Sequence, residues 1–190
     1  MPTRHPFFCS VFNHSTQSIY SVVRHLLEYK MERVVILVDV QNIYHTTRQS
    51  FAAGFDYNAF WAEAAGGRQV VKAIAYATDR GDEKQRQFQN ILRAIGFEVK
   101  LKPYVQRVDG SRKGDWDVGI TVDAMELAGL TDTLVLASGD GDFAILVERI
   151  QELYPVQVEV FGVEEFTAFS LIRAATKFRP INDKLLLKRS

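Results

Sequence analysis

The sequence predicts an α/β domain built on a parallel sheet with helices on both faces. Two observations predict it. Apolar runs of strand length recur along the chain, and segments with apolar residues at helical spacing separate them. Strands joined through helices run parallel, and such a sheet is buried on both sides.

Residues 1–31 stand apart: Phe7, Phe8, Asn13, His14 and Ser15 show no period. Ile19, Val22, Val23, Leu26 and Leu27 recur at helical spacing and predict a helix from about Ser18 to Lys30. The expected organisation is an N-terminal extension over 1–31, one domain over 32–180 and a C-terminal tail over 181–190. Within the domain, Val34–Val38 reads as a buried strand, with later strands at Val70–Ala77, Phe97–Leu101, Thr133–Ala137 and Val156–Phe161. Asp56 or Asn58 is placed to cap a short helix through Phe60 and Trp61. Asp79 or Asp82 is placed to cap a helix whose face holds Phe88, Ile91, Leu92 and Ile95, with Gly96 as its stop. Val118, Val122 and Met125 mark a further helix that ends near Gly129. Phe143, Leu146, Val147 and Ile150 mark the last.

Length and composition narrow the classes. The 190 residues suit one domain, or one with a short appendage. A chain of this size buries roughly 70% of its unfolded surface and needs no staples. A single cysteine, Cys9, can form no internal disulfide, which fits a reducing compartment. No apolar run reaches membrane-spanning length, and Arg4 and His5 precede no apolar core of a secretory signal. A cytoplasmic location without membrane partners is expected.

Net charge is zero, but its distribution is uneven. Residues 80–113 hold nine Lys/Arg against four Asp/Glu, a local charge of +5. Residues 114–165 hold one against twelve, a local charge of −11. Such asymmetry can set an acidic, cation-attracting site beside a phosphate-attracting rim, although solvated basic faces account for the same numbers.

The acidic residues sit where a parallel sheet gathers ligands, at the carboxyl ends of strands. Asp39 comes directly after the first strand. Asp140 and Asp142 come after Thr133–Ala137, within Ser138-Gly139-Asp140-Gly141-Asp142-Phe143. These acids share one edge if the two strands are neighbours. Carboxylates about 4 Å apart repel by roughly 4 kcal/mol at an effective dielectric of 20. A cluster therefore takes up protons or a cation, and all-oxygen donors favour Mg²⁺ or Mn²⁺. Gly139 and Gly141 allow a tight turn and leave room for substrate. Ordinary turn and cap chemistry remains open for each acid alone, most of all for Asp142 before Phe143. In Lys113-Gly114-Asp115-Trp116-Asp117, Asp115 is a natural cap, and Asp117 can favour the helix dipole or point into the site. Asp123 lies six residues on, about 120° around an ideal helix, and ranks behind Asp117.

Together these residues resemble a known family. Val38-Asp39-Val40-Gln41-Asn42 is similar to the first motif of the NYN domain. Lys113-Gly114 with Asp117 and Asp123 resembles its central motif, and Ser138–Phe143 its third. Their order and spacing agree over about residues 32–178, and the LabA-like, or DUF88, group is the nearest in kind. The resemblance implies a three-layer PIN-like, Rossmannoid domain with a mostly parallel central sheet of five or more strands. It implies a metal-dependent ribonuclease with Asp39, Asp117, Asp140 and Asp142 as catalytic metal ligands for Mg²⁺ or Mn²⁺. Asn42, Ser138, Asp123 and Asp115 would support them. An extra residue at Asp115-Trp116 leaves Asp115 and Asp117 as alternatives for one place.

RNA, most simply single-stranded, is the expected partner, and a homo-oligomer is compatible with the sequence. Lys113, Arg112, Arg80, Arg48 and Lys84 are candidate phosphate contacts. Tyr44, Tyr76 and Trp116 are candidate stacking platforms, and His45 can border the site. Two alternatives stand beside hydrolysis. One is a catalytically weak or inactive nucleic-acid-binding or regulatory module; the other is a phosphatase, which lacks an Asp-x-Asp after the first strand because Gln41 stands there. No Gly-x-Ser-x-Gly elbow, zinc-spaced histidines or phosphate-binding Gly-Lys loop is present.

Overall fold

A computed structural model describes residues 31–79, 81–103, 105–106, 112–113 and 115–188. The compact unit spans Glu32–Ser190. The expected N-terminal extension and its helix therefore lie outside the described residues, apart from Met31.

The first half of the domain comprises β1 (Arg33–Asp39), α1 (Val40–Phe51), α2 (Tyr57–Ala65), β2 (Gln69–Asp79), α3 (Glu83–Ile95) and β3 (Glu98–Pro103). A small antiparallel pair, β4 (Val105–Gln106) and β5 (Arg112–Lys113), comes next. The second half comprises α4 (Asp117–Ala128), β6 (Thr133–Ala137), α5 (Phe143–Leu153), β7 (Gln157–Gly162), α6 (Phe169–Ala174) and β8 (Lys177–Pro180).

The main sheet has six strands in the order β3-β2-β1-β6-β7-β8, and every pairing in it is parallel. This is the α/β architecture that the alternating pattern predicts. The chain builds outward from β1 in one direction, then crosses back and builds in the other. The reversal falls between β1 and β6, where connections leave the sheet on opposite sides and open a crevice.

Strand alternation divides the core in two. Val34, Ile36 and Val38 pack with Ile43, Phe60 and Leu92 from α1, α2 and α3. Val35 and Leu37 pack with Ile120, Phe143 and Leu171 from α4, α5 and α6. Three layers result.

Several local expectations change. The segment after β1 forms α1, which the pattern does not announce: only Val40, Ile43 and Thr47 are buried, so its apolar stripe is thin. The edge strand β8 reads Lys-Phe-Arg-Pro, charged and proline-ended as exposed edges are, so it shows no apolar run. Helix α4 buries Ile120, Ala124 and Ala128, while Val118 and Val122 stay exposed. Both stripes exist in this apolar helix, and the small alanines let it approach the sheet. In α3, Leu92 is buried and Ile91 exposed. Residues 181–190, expected as a tail, contribute Ile181, Leu185 and Leu186 to the core.

Candidate functional site

The β1–β6 register decides where the acids meet. Val38 lies opposite Ala137, so Asp39 and Ser138 are the first residues beyond the two paired strand ends. The Ser138 hydroxyl donates to Asp39 Oδ2 at 3.3 Å and accepts from the N–H of Asp140 at 3.2 Å. One buried serine thus links the exits of both strands.

Asp39 also caps α1: its Oδ1 accepts from the N–H of Asn42 at 3.0 Å. The cap and site readings of this residue coexist, because a carboxylate has about four lone-pair positions. Asp39 is only 8% exposed. Burial raises its pKa and the Asp140 charge adds to the rise, while the Asn42 N–H and the Ser138 hydroxyl oppose it. Asn42 returns the contact across the crevice, since its side-chain oxygen accepts from the N–H of Gly139 at 2.9 Å.

Asp140 forms a tight local turn in which its Oδ1 accepts from the N–H of Asp142 at 3.0 Å. Asp142 occupies the cap position of α5 but makes no capping bond. A capping residue is normally extended, whereas Asp142 has helical dihedrals of −65° and −23°. Its exposed carboxylate is therefore not spent on the helix.

Asp117 opens α4, where the positive end of the helix favours an acid. Its pKa is nevertheless pushed up to about 6, first by burial and then by the charges of Asp115, Asp140, Asp39 and Asp142. Four carboxylates from three stretches of chain thus act on Asp117.

Two supporting acids differ from expectation. Asp115 is not the cap of α4: that position falls on Trp116, which supplies no capping bond. The Asp115 carbonyl accepts from Lys102 Nζ at 2.8 Å. Asp123 is committed elsewhere. It receives the Tyr76 hydroxyl at 2.6 Å and Lys100 Nζ at 2.7–2.8 Å. Helical geometry turns it from Asp117 towards β2 and β3.

Gly139 and Gly141 have another use than leaving room for substrate. A Cβ at Gly139 would stand 2.5 Å from the Phe166 carbonyl, and one at Gly141 2.8 Å from the Ala168 Cβ. The space is filled by the turn at Glu164–Phe166 and the start of α6.

Among the candidate nucleic-acid contacts, Arg112 and Lys113 form β5, and Arg80 lies outside the described residues. Tyr44 is 53% exposed, with Arg48 5.7 Å from its ring centroid. Tyr76 is fully buried under Asp123 and offers no stacking face. Trp116 packs on Tyr76 and donates to the Ala77 carbonyl at 2.9 Å. Sequence reasoning overlooked Lys102, whose Nζ stands 5.1 Å from the Trp116 ring centroid. The signal was present: Lys100 and Lys102 are two apart on one strand and so share a face. It also overlooked Tyr57, buried close enough to Asp39 for that charge to raise its pKa beyond what burial does.

Among the described residues no three His, Cys, Asp or Glu side chains stand in a metal-holding arrangement. Mg²⁺ commonly takes one or two carboxylates and completes its shell with water and substrate phosphates. All-oxygen donors of this kind suit such an ion, and one or two of Asp39, Asp140 and Asp117 would hold it, with water and phosphate completing the shell. No helix among the described residues is long and apolar enough to cross a membrane.

Comparison with known proteins agrees with the fold. The NYN domain profile matches residues 33–182. The low amplitude and bright protein LabA of Synechococcus elongatus is 24% identical over 165 residues, covering 83% of this chain and 88% of LabA. A crystal structure of a protein of unknown function from Vibrio parahaemolyticus is 55% identical. It superposes with a TM-score of 0.79, covering 83% of this chain and 97% of that one.

Proposed function

The chain belongs to the NYN domain family, of the PIN-like nuclease superfamily, and on that premise we propose that it is a metal-dependent ribonuclease. Its substrate is single-stranded RNA, cut at the carboxylates around the β1–β6 crevice. The observation that carries this reading is the link of Asp39 to the Asp140 backbone through the Ser138 hydroxyl at the exits of β1 and β6, beside Asp117, whose pKa burial raises first and four neighbouring carboxylates raise further. Like charges held near one another cost free energy, which a bound cation would offset.

A Mg²⁺ or Mn²⁺ held by these carboxylates would supply polarisation of the phosphodiester and a stronger water nucleophile. The protein contributes position. Ser138 and the Asn42 N–H fix both oxygens of Asp39, and the Asn42 side chain holds the loop that carries Asp140. Asp117 and Asp142 flank the crevice from the starts of α4 and α5. Lys113, Arg112, Arg80 and Tyr44 are assigned to the RNA strand.

The test is RNA cleavage in Mg²⁺ or Mn²⁺ by wild type and by Asp140→Asn. Loss of at least about a hundredfold in rate is expected, the usual scale for removing a positioned catalytic group. Equal cleavage by both proteins would discard the assignment. RNA binding that survives EDTA, with no cleavage in Mn²⁺, would instead favour a non-catalytic nucleic-acid-binding or regulatory module.

A further inference from the structure

A cleft of about 450 Å³ opens between α1, α2 and α3 at the carboxyl ends of β1 and β2. Val40 and Gln41 belong to its wall, so it begins at the residue next to Asp39. We propose that this cleft is a nucleoside subsite, taking one base and its ribose from a nucleic-acid strand, with Gln89 reading the base edge. The proposal rests on the nucleic-acid reading above.

Gln89 carries the inference. It is only 5% exposed and yet lines the cleft. No buried side-chain polar atom among the described residues lacks a partner, so whatever part of this amide the protein does not bond reaches the cleft, where an entering group can meet it. An amide presents a donor and an acceptor side by side, which is the pattern of a base edge. Tyr57 and Phe88 supply an apolar wall, their rings packed edge to face at 5.3 Å.

The rim suits the rest of a nucleotide. Tyr44 offers an exposed ring, with Arg48 beside it, and bases stack on such platforms. Arg48 and Lys84 also line the cleft and make no ion pair among the described residues, so both can meet phosphate. Asp82 also lies in the wall, but its carboxylate caps α3 by accepting from the N–H of Gln85 at 2.8 Å. The volume falls within the roughly 300–1,000 Å³ typical of ligand pockets.

The experiment is an NMR titration of the full chain with each of the four nucleoside 5′-monophosphates in EDTA. The Gln89 side-chain amide signals are followed in wild type and Asp140→Asn. One nucleotide is expected to shift them and to bind roughly tenfold tighter than the others, the scale of one bidentate base contact. Asp140→Asn is expected to keep that preference. Gln89→Leu is expected to abolish it, and Gln89→Glu, which keeps the shape and removes the donor, to change which base is preferred. No binding, equal binding of all four, or an unchanged preference in either Gln89 variant overturns the subsite. Asp140-dependent RNA cleavage without nucleotide preference would sink the subsite and leave hydrolysis standing. Nucleotide preference without cleavage would do the reverse.

Discussion

The side chain of Asn42 and the backbone N–H of Gly139, 97 residues apart, are joined by a 2.9 Å hydrogen bond that spans the β1–β6 crevice. It ties the first turn of α1 to the loop bearing Asp140. Asn42→Ala leaves that N–H without its partner, at a cost of about 1–3 kcal/mol. Denaturant unfolding is expected to show this loss. Amide exchange at Gly139 and Asp140 should rise more than in the central strands; uniform exchange would show that Asn42 does not hold the loop.

Gly139 tolerates no side chain. A methyl group there would press on the Phe166 carbonyl at 2.5 Å and on Thr167 at 3.2 Å. Since the obstacle is backbone, Gly139→Ala is expected to destabilise the fold by about 1–3 kcal/mol, the usual cost of overpacking. Thermal unfolding measures it, and an unchanged midpoint would mean that the turn at 164–166 moves freely.

Asp117 predicts a pH dependence. Its pKa in the folded protein is about 6 against an ordinary 3.8, so the folded state holds the proton more tightly than the unfolded state. The resulting stability is complete below about pH 4 and is lost as pH rises through about 6. Asp117→Asn removes that loss. The metal-free variant is expected to melt higher than metal-free wild type at pH 7–8, with the gap closing by pH 4. A gap independent of pH would show that charge repulsion is not the cause.

A divalent cation should act on the same repulsion. Mn²⁺ is expected to raise the melting temperature of wild type at pH 7, and EDTA to reverse it. The shift should shrink in Asp39→Asn and in Asp140→Asn. A full shift in both variants would place the ion elsewhere.

Asp123 is expected to behave as a structural residue. It is bonded to Tyr76 and paired with Lys100, with its side chain 14% exposed. Asp123→Ala strands both partners and is expected to cost about 2–4 kcal/mol, near the scale for breaking a partly buried pair. Mn²⁺ should still raise the melting temperature of this variant. Disappearance of that shift would return Asp123 to the metal site.

Much of the fold is legible in the sequence. The apolar runs at Val34–Val38 and Thr133–Ala137 mark strands, and the acids just beyond them mark the candidate site, because chain order alone sets which residues stand at a strand exit. The helix after β1 is not legible, since its buried stripe is only Val40, Ile43 and Thr47. Nor is the burying face of α4, where two apolar stripes compete and only contact with the sheet chooses Ile120, Ala124 and Ala128.

By itself the sequence determined the fold class and the identities of the acids at the strand exits. Both come from local periodicity and from the residues that end each strand. Tertiary structure alone decided that β1 and β6 are neighbours, that Asp123 turns to Lys100, that Gly139 makes way for backbone, and that Gln89 faces an open cleft. Each of those depends on which distant segments pack together, and the free energy of that packing is a property of the whole core.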